Sequence, residues 1–221
     1  GVRLVGSEMC IRDRCYGGGV NNLDTAKNVL THKDAQKRAE TIRNVSYNLS
    51  IDMHSGKETY QGKITIIFEV SDDDNVIVDF TGSEIVTLVL NETFVGNPDW
   101  DGHKLNLPQN LIQKNNTVEV TYINQYDHTG DGFHQFIDPE DNEEYLYSNF
   151  EPYGAHKLFP CFDQPDIKAT YHLEVSAPSK WKVIHNSPIN KTSSLPDQRL
   201  RHEFLKTEKF SNYLFALICG P

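Results

Sequence analysis

Glu151 is the residue whose surroundings most invite a chemical reading. It lies in the stretch Tyr145–Thr170, YLYSNFEPYGAHKLFPCFDQPDIKAT, among Phe150, Pro152, Phe159, Pro160, Phe162, Asp163 and Pro165. Three prolines fix φ at three points of this stretch and remove three backbone donors, so a stiff loop is expected. A carboxylate on a stiff loop is a positioned carboxylate, suited to holding a cation. The same composition equally suits a proline-braced crossover packed in the core. Pattern alone leaves both readings open.

Other residue groups imitate known sites without completing them. In Asp127–Asp138, DHTGDGFHQFID, the residues Asp127, Thr129, Asp131 and Gly132 fall at positions 1, 3, 5 and 6 of a calcium loop. Position 12 is Asp138 instead of a bidentate Glu, and the flanks read as strands instead of helices. A glycine-tipped turn between two strands is expected there. His202-Glu203-Phe204-Leu205-Lys206 opens like H-E-x-x-H but ends on Lys, and its alternation marks a strand. His128 and His134 have no third ligand at metal spacing and read as surface or structural residues. No G-x-S-x-G elbow supports a serine nucleophile. No G-x-G-x-x-G, P-loop or βαβ alternation supports a nucleotide site.

The elements that must carry these residues are strands. Val45, Tyr47, Leu49, Ile51 and Met53 alternate with polar residues, as a half-buried strand requires. After a turn at Ser55–Lys57 the pattern repeats at Ile64, Ile66, Phe68 and Val70. Further runs follow at Val76–Phe80, Ile85–Leu90, Val118–Asn124, Tyr171–Val175, Trp181–Ile184, Leu200–Phe204 and Tyr213–Ile218. One short helix is expected over Asn28–Ile42, with Thr31 able to cap it and Leu30, Ala35, Ala39 and Ile42 as its apolar stripe. The fold class is all-β: a saddle-like β-sandwich of mostly antiparallel strands with one short amino-terminal helix.

The totals narrow the function classes. The 221 residues are 38% hydrophobic, enough for a sizeable core, and carry a formal net charge of −10. That acidity repels nucleic acid and anionic membrane, so neither is expected as a partner. No apolar run approaches the roughly 18 residues of a membrane span. The longest buried-looking run, Tyr213–Cys219, has the length of a strand. Cys10, Cys15, Cys161 and Cys219 form no C-x-x-C pair; Cys161 and Cys219 lie in apolar runs and read as core residues. A reducing, cytoplasmic location is expected, and the N-x-S/T triplets at Asn48, Asn91, Asn115 and Asn190 are read as chance. Residues 1–22 have no sustained period, and Val5–Arg14, VGSEMCIRDR, resembles a translated library adapter. They are expected to be a non-native or disordered tail, leaving 23–221 as the domain.

Four segments together resemble one family. They are Thr31–Met53, His128–Thr170, Ser176–Pro188 and Ser211–Pro221, the last reading SNYLFALICGP. The block Gly130–Ala169 is long and idiosyncratic, and it is similar to the amino-terminal β domain of the aminopeptidase N family of zinc metallopeptidases. The resemblance implies a protein that removes amino-terminal residues from peptides. Its zinc, its H-E-x-x-H helix and its G-x-M-E-N clamp would belong to a following thermolysin-like catalytic domain that these residues do not contain. No catalytic or metal-ligating residue is therefore expected here, and the chain alone is expected to be inactive. The resemblance assigns Glu151 to binding the substrate α-amine, which has a pKa of about 7.7–8.0 and is largely protonated at neutral pH. Asn149 stands where many members have Gln, one methylene longer. It implies a second substrate-binding residue, either touching the first side chain or acting through water or structure.

A rival reading is a free-standing β-sandwich that binds peptides or carbohydrates, and a third is a partner-binding scaffold with an exposed apolar face. In-frame G-x-M-E-N and H-E-x-x-H downstream of Pro221 would separate the aminopeptidase from both.

Overall fold

A computed structural model describes residues 29–71 and 75–221. The stretch 1–22, with Cys10 and Cys15, lies outside the described residues, as does Asn28. No helix among the described residues is long and apolar enough to cross a membrane.

The first element is α1 (His32–Thr41). Thr31 caps it as expected: its Oγ1 accepts the Asp34 N–H at 3.2 Å, satisfying one of the donors a helix start leaves open. The helix begins later than the apolar stripe suggests, because Leu30 packs without helical backbone. It stops where Ile42 becomes extended (φ −96°, ψ 130°), and the chain runs directly into β1 (Ile42–Asp52). Asn44 takes a left-handed φ of 53°, which Asn tolerates better than most residues, and the β1 pairing slips a register between Arg43 and Ser46.

The remaining elements in chain order are β2 (Thr59–Val70), β3 (Ile77–Asp79), β4 (Glu84–Leu90), β5 (Thr93–Phe94), β6 (Asp99–Trp100), β7 (Lys104–Asn106) and β8 (Asn115–Gln125). Then come β9 (Gly132–Ile137), β10 (Glu144–Asn149), β11 (Thr170–Pro178), β12 (Lys182–His185), β13 (Ile189–Ser194), β14 (Arg199–Phe204) and β15 (Leu217–Gly220). They form three sheets among the described residues. The largest has the order β13-β14-β11-β1-β2-β8-β4-β5, the second β12-β15-β10-β9, and the smallest β3-β7-β6. The sandwich is thus all-β with one short helix, and antiparallel except that β1 and β11 run side by side in parallel.

The alternation read in the sequence becomes the core face of the large sheet. Val45, Tyr47, Leu49, Ile51 and Met53 are all buried, as are Ile64, Ile66, Phe68 and Val70. Rings join this face to the second sheet. Tyr47 stacks on Tyr171 at 5.2 Å between centroids, Phe159 meets Phe215 edge-on at 5.1 Å, and Phe215 lies 4.8 Å from the His185 ring of β12. Each such ring buries about 150–250 Å², so these contacts dominate the joint between the sheets.

Two expectations need correction. Tyr213–Cys219 is not one strand: Asn212–Leu214 forms a 3-10 turn and only Leu217–Gly220 pairs. The buried Asn212 side chain causes this, since its Nδ2 donates to the Phe162 carbonyl at 2.8 Å and its Oδ1 accepts from the Tyr171 hydroxyl. Likewise only Asp127–Asp131 of the expected glycine-tipped turn is turn, because Gly132–Ile137 pairs as β9. The strands β5, β6, β7 and β13 escaped the sequence reading; β13 has no buried side chain and so no hydrophobic period.

Candidate functional site

Strand β10 decides which side of the Tyr145–Thr170 stretch meets solvent. Leu146 points into the core, while Tyr145, Tyr147 and Asn149 alternate outward. Phe150 then turns in and is 2% exposed. Glu151 follows as an exposed side chain on a cis Glu151–Pro152 peptide. Gly154 closes the turn, and only glycine fits there: a Cβ would lie 2.9 Å from the Phe150 Cα. Ala155–Lys157 make a 3-10 turn, and every residue from Leu158 to Gln164 is buried. The stretch divides: Ala155–Gln164 is the braced crossover, and Glu151 is an exposed carboxylate that precedes it.

A buried polar network holds the brace. Asp163 Oδ2 accepts from the His156 peptide N–H at 3.1 Å and from its ring Nδ1 at 2.7 Å. Asp163, a short polar side chain in a turn, thus accepts a backbone N–H of the same stretch. His156 is fully buried and paired, not solvated. The Asp163 N–H donates to Asp79 Oδ2 at 3.1 Å, and Asp79 also accepts a two-pronged bond from Arg38 at 2.6 and 3.0 Å. Burial, and after it the Asp79 carboxylate, push the Tyr153 phenol above its ordinary value. Burial likewise pushes the Cys161 thiol up, so Cys161 is a packing residue, as Cys219 is. Asp79 and Arg38 were not singled out from the sequence. The one available signal was an acid inside the apolar run Val76–Phe80.

Asn149 is placed beside Glu151 but is already engaged. Its Nδ2 donates to the Gly130 carbonyl at 2.8 Å. The turn it grips is shaped by Asp127, whose Oδ1 accepts the N–H groups of Thr129 (2.7 Å) and Asp131 (3.0 Å). Lys157 forms an ion pair with Asp131, and its stem packs against Gly132, where a Cβ would come within 3.2 Å. Burial raises the Asp127 carboxyl, but its hydrogen bonds from Thr129, Asp131 and Gly130 outweigh that and hold it below the ordinary value. His128 and His134 are structural here: His128 Nε2 lies 3.1 Å from Glu58 Oε2, and the His134 ring packs on Tyr147 at 4.8 Å.

The zinc implied by the resemblance finds no seat among the described residues. No group of three or more of their His, Cys, Asp or Glu side chains is placed to hold a metal ion.

The outward face around Asn149 is apolar. Ile184 of β12 pairs with Ile218 of β15, Ile218 with Tyr147 of β10, and Tyr145 with Phe136 of β9. Ile184 is 56% exposed, Ile218 47%, Phe136 44% and Tyr147 37%. The row Ile184–Ile218–Tyr147 crosses three hydrogen-bonded strands, with Phe136 one step along on the fourth, and an exposed apolar patch of this kind marks an interaction surface. Glu151 lies two residues beyond the end of β10, after the inward-turned Phe150.

Comparison with known proteins agrees with this arrangement. The family described as Peptidase M1 N-terminal domain matches residues 43–214. Aminopeptidase N of Streptomyces lividans is 33% identical over 196 residues, covering 87% of this chain and 22% of the relative. Aminopeptidase N of Acetobacter pasteurianus is 26% identical over 190 residues, covering 82% of this chain and 53% of the relative. Human glutamyl aminopeptidase is 39% identical over 67 residues, 30% of this chain and 7% of the relative. The chain thus spans about a fifth of the first relative and about half of the second. It belongs to the M1, or aminopeptidase N, family of metallopeptidases, in the part that forms the family's N-terminal domain.

Proposed function

We propose that this chain is the N-terminal domain of a zinc-dependent aminopeptidase, and that Glu151 binds the substrate's protonated α-amine. The observation that carries the reading is the exposure of Glu151 between the buried Phe150 and the buried, hydrogen-bonded crossover that follows Gly154. A carboxylate so held can give an ammonium a charge-assisted hydrogen bond worth about 1.5–3 kcal/mol. An internal peptide bond offers no cation, which favours chain ends over chain interiors.

In this chain Glu151 is solvated, so the desolvation that would sharpen the selection has to come from a covering partner. The exposed apolar side chains Ile184, Ile218 and Tyr147 on the second sheet support such a cover, and we assign that role to a catalytic domain that also holds the zinc. The geometry of Asn149 favours a structural part for it over direct contact with the substrate. A cytoplasmic location belongs to the same proposal, supported by Cys161 and Cys219 being separate buried thiols.

The test is Glu151→Ala in the intact enzyme. Loss of a desolvated charge partner should lower kcat/KM by about 3–5 kcal/mol, roughly a hundred- to several-thousand-fold. A change below about tenfold would remove Glu151 from the anchor role. The purified 221-residue chain should show neither turnover nor stoichiometric zinc; finding both would overturn the assignment of chemistry to another domain.

A further inference from the structure

We propose that the buried His156–Asp163 pair is the positioning device that aims the Glu151 carboxylate. The proposal rests on Glu151 being the amine anchor. Glu151 is held on its N-terminal side by Phe150, packed in the core, and by Asn149, tied to Gly130. On its C-terminal side the first fixed point is His156. Three hydrogen bonds converge on that residue away from solvent. Its N–H and its ring Nδ1 donate to the same Asp163 oxygen, at 3.1 and 2.7 Å, and its carbonyl accepts the Thr81 N–H at 2.9 Å.

The residues between the two points have little freedom. Gly154 is pressed against the Phe150 backbone. The Tyr153 ring packs against the His156 imidazole, 4.4 Å between centroids. Asp163 is fixed in turn through Asp79 to Arg38 on α1. The other ring nitrogen of His156, Nε2, is buried with no partner among the described residues. The imidazole is therefore the end of this network. What holds the ring among the described residues is Asp163, and through it the imidazole fixes the loop that bears Glu151. It touches no substrate, so it is a positioning residue. Misplacing a binding group by about an ångström can cost on the order of a hundredfold in rate.

A positioning role and general stability separate in two measurements. The first uses the intact enzyme and two inhibitors, leucine hydroxamate and its des-amino counterpart isocaprohydroxamate. His156→Leu should reduce the preference for leucine hydroxamate by about tenfold or more, with isocaprohydroxamate affected little. His156→Asn puts an amide N–H near the place of Nδ1 and should keep the preference within a few-fold. The second follows hydrogen exchange in the 221-residue chain. His156→Leu should speed exchange at the amides of residues 156–158, while those of β1 and β2 stay as they were.

If His156→Leu does not fold, Asp163→Asn carries both measurements and is expected to act in the same direction. An unchanged preference, or equal weakening of both inhibitors, overturns the proposal. Glu151→Ala is the control. If it keeps the amine preference, the anchor reading itself fails. If it abolishes the preference and the folded His156 or Asp163 variants do not, only the positioning role fails.

Discussion

The two open sheet faces of the molecule are finished differently. The large sheet turns Asn48, Ser50, Lys63, Thr65, Glu119, His172, Glu174 and Glu203 outward, and two ion pairs lie among them. Lys63 Nζ lies 3.0 Å from Glu119 Oε2, and His172 Nε2 lies 3.6 Å from Glu203 Oε1. Apolar exceptions such as Ile67 stand singly, as they do on most protein surfaces. The β12-β15-β10-β9 sheet turns out Ile184, Ile218 and Tyr147 in register, with Phe136 opposite Tyr145. Both faces obey the same two-residue alternation. The difference is what the alternation exposes: polar side chains on one face and large apolar side chains on the other.

That contrast can be broken most sharply by charging the two faces in turn. In the intact enzyme, Ile184→Lys with Ile218→Lys should cost about 3–6 kcal/mol of interdomain stability, at about 1.5–3 kcal/mol for each apolar side chain denied burial. Thr65→Lys with Thr117→Lys on the other face should stay within about 0.5 kcal/mol for each substitution. Urea unfolding reads both, and equal effects would erase the distinction.

Next in size is the support beneath the loop. Asp79→Ala strands the Arg38 guanidinium, whose side chain is only 9% exposed, and removes the acceptor of the Asp163 N–H. The 221-residue chain should lose about 3–5 kcal/mol of unfolding free energy. A loss below about 1 kcal/mol would mean that the two sides of the sandwich do not depend on this network.

A smaller effect is expected with acid. Burial pushes His185 and His202 below the ordinary 6.5, so both are held neutral in the folded chain, while the unfolded chain takes up their protons near 6.5. Their contribution is complete above that value and is lost as pH falls through the lowered folded values. The Tm should be level between about pH 7 and 8 and decline below about 6.5, and His185→Gln should flatten part of that decline. A Tm that rises on acidification would contradict the burial of these rings.

The smallest change is expected from Lys63→Ala. The lysine and Glu119 are both well exposed, and such pairs contribute about 0–1 kcal/mol and less in salt. A loss above about 2 kcal/mol in the same urea titration would show that the polar face is more than a solvated surface.

Much of the fold is legible in the sequence, and the residues show why. Val45 to Met53 and Ile64 to Val70 alternate because one side of each strand is buried, and burial writes itself into every second residue. Thr31 as a cap and Asp163 as a backbone acceptor are readable because short polar side chains at turn boundaries have few other uses. Tyr213 to Leu214 departs from its apparent strand because a buried side chain with distant partners, Asn212 bonded to Phe162 and Tyr171, overrides a local apolar run. The strands β5 to β7 and β13 leave no signal because short or exposed strands have no hydrophobic period.

What the sequence determined by itself is the set of longer strands, the stiff loop and the place of Glu151 among the prolines and aromatics in it. Those follow from local rules: side-chain period, fixed proline φ, and composition. What only the tertiary structure decided is which groups meet. It laid β11 parallel to β1, brought Asp79 under Asp163, buried His156 while leaving Glu151 in water, and gave the Asn149 amide to Gly130. Each of these depends on contacts between residues distant in the chain, and no period or motif records a partner that lies on another strand.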